Sequence, residues 1–368
     1  MKPLREATRT PEWEGRLWLV GGVVRDALLQ GQTTLHLDRD ATADIDIMVE
    51  GDALAVAQLA WDRGVSSIPP VVYPRFGTAM IRVQSTTIEL ASARRESYAE
   101  DSRKPEVVPA TRYEDAQRRD FTVNTLQINL HTGEPSDPLG TGQADLRDRI
   151  LRTPLAPEAT FFDDPLRMLR AVRFRWRLDL TPAPNLYPAI RATAARLAII
   201  SAERIRDELS KILLGPSPDL ALDDLMQLGL MPYVIPELVD AVGVEQGSFH
   251  HLDVWDHTRL VVRNTPPCDL RLRLAALLHD VAKPMTRFID EHGNTRFFGH
   301  EGEGETLTRT ILRRLHFAND EVEGVARLVR NHMRIGSSPG FSPAAARRLL
   351  RDLGEETDRL LQLVEADA

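Results

Sequence analysis

Over the first 150 residues the apolar positions fall into short runs cut by glycine and polar turns, the signature of alternating strands and short helices. "RLWLVGG" (16–22) predicts a strand entering a glycine turn, and "VVRDALLQG" (23–31) a short helix stopped at Gly31. "ADIDIMV" (43–49) and "TAMIRVQSTTIELASA" (78–93) predict strands, the second a hairpin broken near Ser85. "RRDFTVNTLQINL" (118–130) begins helical and runs into a strand. From about Pro157 the period becomes helical. "DDPLRMLRAVRFRWRL" (163–178) and "SAERIRDELSKILLG" (201–215) carry acids in their first turns, and "LALDDLMQLGLMPYVIPEL" (220–238) is a helix, a glycine stop and a proline-marked turn. Histidines are sparse before residue 245 and recur after it. The pattern predicts three units: a mixed α/β head over 1–152, a helical neck over 153–245 and a helical, histidine-bearing domain over 246–368.

Length changes this picture little. A chain of 368 residues is too long for one comfortable core. The single cysteine, Cys268, excludes an internal disulfide and fits a reducing compartment. No apolar run approaches the roughly 20 residues of a membrane span, and the N-terminus lacks the apolar core of a signal peptide, so a cytoplasmic location is expected. The net charge of −8 argues against a uniformly basic nucleic-acid binder but allows a local basic groove.

Chemistry enters at "DIDIMV". Asp44 and Asp46 stand at i and i+2, so on a strand both point to one side while Ile45 and Ile47 pack on the other. Carboxylate-only ligation suits Mg²⁺, and two such ions form a clamp for in-line phosphoryl transfer. Gly21 and Gly22 open a helix whose bare N–H groups can cradle phosphate, with Arg25 in its first turn. Glu89, on a later strand, is either a third ligand or a surface glutamate. Taken alone, such an acid pair more often marks a solvent-facing edge strand; the strand–glycine–helix–strand context turns the balance toward a site.

Further along, Arg118 and Arg119 can neutralise a triphosphate or contact a sugar, and Asp120 and Asn124, one helical turn apart, can fix a ribose or the arginines. The bland alternative is an amphipathic helix start with solvated charges. Arg167, Arg170 and Arg173 recur every three residues on one helix face behind Asp163 and Asp164, either as a solvated face or as a donor row for a nucleotide. Glu203, Arg204 and Glu208 read as structural, and Asp137 and Asp145 as turn formers.

Together, "LVGGVVRDALL" and "ADIDIMV" resemble the opening motif of the class II tRNA nucleotidyltransferase and bacterial poly(A) polymerase family. "RRDFTVNTL", "DPLGTGQADLRDRILRT", "DDPLRMLRAVRF" and "ERIRDEL" resemble its later motifs in order. The resemblance implies an α+β chain: a polymerase-β-like nucleotidyltransferase head, a small mixed sheet with helices, followed by an all-α neck and a further all-α domain. It implies transfer of CMP or AMP from CTP or ATP to a tRNA 3′ end, with Asp164 and Arg167 reading the base edge and Arg170 and Arg173 contacting phosphate or bracing the pocket. The loop 94–117 departs from the patterns of full CCA-adding enzymes, and "ARRESY" leans toward an A-adding member. Poly(A) addition is the alternative within the family.

Near the C-terminus, "WDHT", "LLHDVAKP", "GHE", "NHM" and a late Asp367 resemble the HD phosphohydrolase superfamily. That resemblance implies His257, His279, Asp280 and Asp367 as metal ligands, His300 and His332 as support for a second ion, and phosphatase or 2′,3′-cyclic phosphodiesterase activity. Mixed imidazole and carboxylate donors suit Mn, Ni, Co, Fe or Zn. Lys283 can contact a substrate phosphate; His250 and His251 are bystander candidates. The remaining alternative is an HD phosphohydrolase whose head only binds RNA.

Overall fold

The computed structural model describes residues 1–31, 45–97, 106–246, 251–335 and 342–368. Asp44, His250 and residues 98–105 of the 94–117 loop lie outside the described residues. The chain divides into two compact units, residues 1–163 with 181–186, and residues 164–180 with 187–368.

The first unit is built on a mixed sheet. Its strands are β1 (Leu17–Val20), β2 (Ile45–Val49), β3 (Val71–Tyr73), β4 (Thr78–Val83), β5 (Thr86–Ser92), β6 (Arg94–Ser97), β7 (Glu106–Pro109), β8 (Gln127–Asn129), β9 (Pro135–Ser136), β10 (Ile150–Leu151) and β11 (Thr181–Pro182). Seven of them form one sheet in the order β3-β4-β5-β2-β1-β8-β9. Only β2 and β5 run parallel in it. The remaining strands pair as β6–β7 and β10–β11. The helices are α1 (Lys2–Ala7), α2 (Gly22–Leu29), α3 (Ala53–Asp62), α4 (Arg112–Gln117), α5 (Gly142–Arg147) and α6 (Pro157–Asp163).

Alternation decides the two faces of the sheet. Ile47, Ile81, Ile88 and Leu90 are wholly buried on one face, where α3 packs on β4 and β5. Each such side chain contributes about 1.5–3 kcal/mol by leaving water. Asp52 caps α3 by accepting from Leu54 N at 2.8 Å. The β4–β5 hairpin turns through Gln84, held at φ 56°, one residue before the Ser85 break expected from sequence. The N-terminal segment is tied down by buried His131: Gly15 N donates to Nδ1 at 3.2 Å, which leaves Nε2 to donate to Thr8 Oγ1 at 3.0 Å.

Two sequence expectations change here. Residues 118–124 do not continue a helix. α4 ends at Gln117, Phe121 is extended (φ −136°) and only a short 3₁₀ turn covers Thr122–Asn124. Phe121 and Val123 are both fully buried, and Thr122 N bonds to Arg152 O at 2.8 Å. That tertiary pairing outweighs local helix preference. Asp145 is not a turn former: it lies buried in α5, accepting from Thr122 Oγ1 at 2.7 Å and Arg152 Nε at 3.0 Å.

The second unit is helical: α7 (Leu166–Leu178), α8 (Leu186–Thr193), α9 (Ala202–Leu213), α10 (Pro218–Gln227), α11 (Met231–Val234), α12 (Val254–Asn264), α13 (Leu270–Leu278), α14 (Lys283–Thr286), α15 (His300–Arg314), α16 (Asn319–Asn331), α17 (Pro343–Leu353) and α18 (Thr357–Asp367), with one small hairpin, β12 (Phe288–Ile289) and β13 (Thr295–Arg296). Asp163 ends α6 and so does not open α7; Asp164 precedes it and accepts from Leu166 N at 3.2 Å. Buried Asp224 of α10 gathers Arg175, Trp176 and Tyr187 at 2.5–2.8 Å. Helix α13 is buried on every side from Leu272 to Leu278, and its one buried cation, Arg273, donates to the last carbonyl of α9 at Leu213 (2.5 Å) and to Gly215 just beyond it (3.3 Å). Among the described residues no helix is long and apolar enough to cross a membrane.

Candidate functional site

In the first unit Asp46 and Glu89 are direct Cα partners in the β2–β5 ladder. Both side chains are exposed while Ile45, Ile47, Ile88 and Leu90 on either side of them are buried. Glu89 is therefore placed beside Asp46 on the open face, as a third ligand requires. Gly21, at φ 82°, turns the chain from β1 into α2 against this acid: a Cβ there would lie 3.0 Å from Asp46 Oδ2. Only a glycine both accepts that backbone and leaves that space. Asp46 thus looks out beside the N-terminus of α2, whose first amides are suited to receive an anion.

Arg25 does not reach out toward an anion. Its guanidinium is 2% exposed, donating to Asp26 Oδ1 and to Asn124 Oδ1, both at 2.7 Å. Asn124 in turn donates to Asp120 Oδ1 at 2.9 Å. A Cβ on Gly22 would lie 3.4 Å from Arg25 Nη2, so this chain of contacts runs beneath the glycine turn.

Arg118 and Arg119 share a residue that sequence reading missed. Asp115, wholly buried on α4, takes Arg118 Nη2 on one oxygen at 2.7 Å and Arg119 Nη2 on the other at 3.1 Å. Arg118 Nε also donates to Arg94 O at 3.0 Å. Burial works against the Asp115 carboxylate, but the two guanidiniums prevail and hold its pKa below the ordinary 3.8. Its stabilising effect is then complete above pH 3.8 and is lost as pH falls through the lower folded value. Asp115→Asn is expected to cost about 3 kcal/mol at pH 7. Denaturant midpoints of the two proteins should converge as the pH is taken below 3.8; a pH-independent gap would show that charge pairing is not the cause.

In the second unit the α7 arginines take different places. Arg173 is buried and donates Nε to Glu208 Oε2 at 2.6 Å, and Arg170 stands 3.6 Å from the other Glu208 oxygen. Glu208 therefore braces the row. Asp164 Oδ2 accepts from Arg204 Nη2 at 2.8 Å. Arg167, half-buried, follows in the first turn of α7.

The histidines converge. His257 on α12, His279 and Asp280 at the end of α13, His300 opening α15, His332 after α16 and Asp367 closing α18 point to one focus. His257 Nε2 lies 2.8 Å from Asp367 Oδ1 and 3.4 Å from His279 Nε2. His300 Nε2 lies 3.2 Å from His332 Nε2. Asp280 spans both groups, with Oδ2 at 3.1 Å from His279 and Oδ1 at 3.5 Å from His300. His279, His300 and His332 each direct Nδ1 at a backbone carbonyl, of Ala276, Phe297 and Val329, at 2.7–2.8 Å. Donation there leaves the Nε2 lone pairs facing one another, the tautomer that metal ligation needs. Neither Asp280 oxygen accepts an aligned hydrogen bond, although Lys283 Nζ sits 2.6 Å from Oδ2. The donor set fits two cations sharing Asp280, with His257, His279 and Asp280 on one side and Asp280, His300 and His332 on the other.

The carboxylates and imidazoles of the cluster also shift one another's titration. Burial opposes a charged His279, yet the carboxylates of Asp280 and Asp367 raise its pKa to about 10. Burial and the neighbouring His279 push His332 down to about 4. Lys283 is turned inward, also bonding Gln246 Oε1 at 2.6 Å, and exposed His251 takes no part in either metal group.

The order of these parts matches three family profiles. "Poly A polymerase head domain" covers residues 17–152, "Probable RNA and SrmB- binding site of polymerase A" covers 179–242 and "HD domain" covers 248–368. The A-adding tRNA nucleotidyltransferase of Deinococcus radiodurans is 40% identical over 271 residues, 71% of this chain and 61% of that protein's length. The multifunctional CCA protein of Xanthomonas campestris pv. campestris (strain B100) is 31% identical over 349 residues, 91% of this chain and 79% of that protein. The chain belongs to the tRNA nucleotidyltransferase family. In fold it is similar to the Bacillus stearothermophilus CCA-adding enzyme solved with CTP, at a TM-score of 0.69 and 23% identity, covering 99% of this chain and 75% of that one. The head and HD modules of such chains are metal-dependent.

Proposed function

We propose that this chain transfers CMP, AMP or both from CTP or ATP to the 3′ end of tRNA without a nucleic-acid template. The observation that carries this reading is the Asp46–Glu89 pair, aligned on the open sheet face against the Gly21 turn. The 3′-oxygen of the RNA attacks the α-phosphorus of the nucleotide, and pyrophosphate leaves with the displaced electron pair. Asp46 and Glu89, together with Asp44, would hold Mg²⁺, whose oxygen preference they match; when bound it neutralises phosphate charge and lowers the pKa of the attacking hydroxyl. The amides at Gly21 and Gly22 receive phosphate, Arg118 and Arg119 face the triphosphate from the platform of Asp115, and Arg25, Asn124 and Asp120 stiffen the turn from below. Asp164 and Arg167 select the base by its hydrogen-bonding edge, while Glu208 keeps Arg170 and Arg173 in place. The family profiles support a division of labour with boundaries near residues 152 and 245. The single cysteine, Cys268, is free and exposed, which fits a cytoplasmic setting.

A second activity rests on the histidine cluster: hydrolysis of a phosphate ester by the HD domain with Mn, Ni, Co, Fe or Zn. Its donors mix imidazole and carboxylate, unlike the oxygen-only head.

Three tRNA transcripts test the main reading, ending before CCA, after C and after CC. Each is incubated with CTP, ATP or both and Mg²⁺, and products are read at single-nucleotide resolution. A single A on the last transcript alone marks an A-adding enzyme, two Cs on the first a CC-adding enzyme, and the full triplet a CCA-adding enzyme. A long A ladder marks a poly(A) polymerase. Failure to extend any transcript would leave the HD domain as the only catalytic part.

A further inference from the structure

The row of paired residues that holds the acids does not stop at them. Across the ladder Val20 pairs with Asp46, Asp46 with Glu89, Glu89 with Met80 and Met80 with Val71. Directly paired residues share a face, so Met80, Val71 and, two residues on, Tyr73 lie on the same open side as the acids. Val71 is 43% exposed and Tyr73 47%, and Phe76 in the following turn is 39% exposed. Arg82, exposed on the same face of β4, and Arg75, whose guanidinium stands 5.9 Å from the Phe76 ring, supply positive charge around them. An edge strand with exposed apolar side chains is a liability unless something covers it.

From these observations we infer that the β3–β4 flank of the sheet is the seat of the single-stranded 3′ end of the RNA substrate. The inference rests on the nucleotidyltransfer reading and adds the surface that holds the nucleotides behind the attacking 3′-oxygen. Three strand spacings separate Asp46 from Val71, about 14 Å, a span of a few stacked nucleotides at about 3.4 Å each. Tyr73 and Phe76 offer ring faces on which any base can stack, and Arg75 and Arg82 offer charge to the phosphates between them, the combination that sequence-tolerant single-strand sites use. The Asp46–Glu89 end repels phosphate until it is neutralised, while the arginine end attracts it, so the strand is oriented with its 3′ end toward the acids.

The test uses the whole chain and a tRNA acceptor minihelix ending in CC, with 2-aminopurine at the third nucleotide from the 3′ end. Binding is followed by fluorescence with Mg²⁺ and without nucleotide, so that it is read without catalysis, and ATP binding is measured separately. Tyr73→Ala and Phe76→Ala are each expected to weaken minihelix binding about tenfold or more, to relieve 2-aminopurine quenching, and to leave ATP affinity and the thermal midpoint unchanged. Tyr73→Phe should behave as the native protein. Arg82→Gln, which alters no buried contact, should lower the slope of log affinity against log salt by about one. Native minihelix affinity in both alanine variants would overturn the inference, as would a loss of ATP affinity in their place. Dissociation of a dimer by Tyr73→Ala with RNA binding intact would assign the face to a second copy of the chain and overturn it too. If the native protein neither binds nor extends the minihelix, the nucleotidyltransfer reading fails first and this inference with it.

Discussion

Asp46→Ala is expected to lower nucleotide addition by about a thousandfold or more at saturating Mg²⁺. A metal clamp on a transferring phosphoryl group supplies several kcal/mol of transition-state stabilisation, and about 4 kcal/mol corresponds to that factor. The carboxylate is exposed between buried Ile45 and Ile47, so its removal takes nothing from the core and the thermal midpoint should hold. Glu89→Ala should act in the same direction, since its carboxylate stands opposite on β5. Single-turnover rates on the CC-ending transcript check both. Native rates for Asp46→Ala would remove this acid from the reaction. Hydrolysis by the histidine cluster, in the other unit, serves as the internal control and should not change.

Asp280→Asn is expected to do the reverse: to remove hydrolysis and bound transition metal while sparing nucleotide addition. Asp280 is 1% exposed and is the one residue common to both candidate ligand groups among the described residues. An amide keeps its volume but loses the charge that faces four imidazoles. Altering a supporting contact alone costs 10–100-fold in metal affinity, so loss of a shared ligand should reach about a hundredfold or more. Metal content after desalting, read by mass spectrometry, checks this directly. Equal content in the variant and native proteins would mean that Asp280 bridges nothing. His332→Ala provides a graded comparison, because it belongs to one group only and should leave the ion beside His257 and His279 in place.

Much of this was legible in the sequence because the chemistry is carried by short local spacings. The strand–glycine–helix turn, the acids at alternate positions, and the His279-Asp280 pair behind the apolar run 274–278 each declare themselves within a dozen residues. What could not be read depends on register and on distant pairing. Glu89 could equally have been a surface glutamate until β2 and β5 were seen to run parallel with it opposite Asp46. Asp115 sits in a polar helix whose sequence gives no sign that two arginines enclose it. Arg25 stands in the first turn of α2 where it could reach a phosphate, but its guanidinium is buried against Asp26 and against Asn124, 99 residues away. The helical spacing of Asp120 and Asn124 was mistaken for a helix, because the pairing of Thr122 with Arg152 is invisible locally. The carbonyls that set the tautomers of His279, His300 and His332 belong to the backbone and leave no trace in residue type.

The parallel register of β2 and β5 has one more effect. A slip of a single residue would put Ile88 opposite Asp46 and turn Glu89 into the apolar layer beneath the sheet. The two-residue turn at Gln84 and Ser85 fixes the neighbouring β4–β5 ladder, so β5 meets β2 with its register to β4 already set. A one-residue slip of β5 against β2 would thus bury a carboxylate and expose an isoleucine at a stroke. An unpaired carboxylate in the apolar layer is costly enough to exclude that register. Folding itself therefore proofreads the alignment of these two acids.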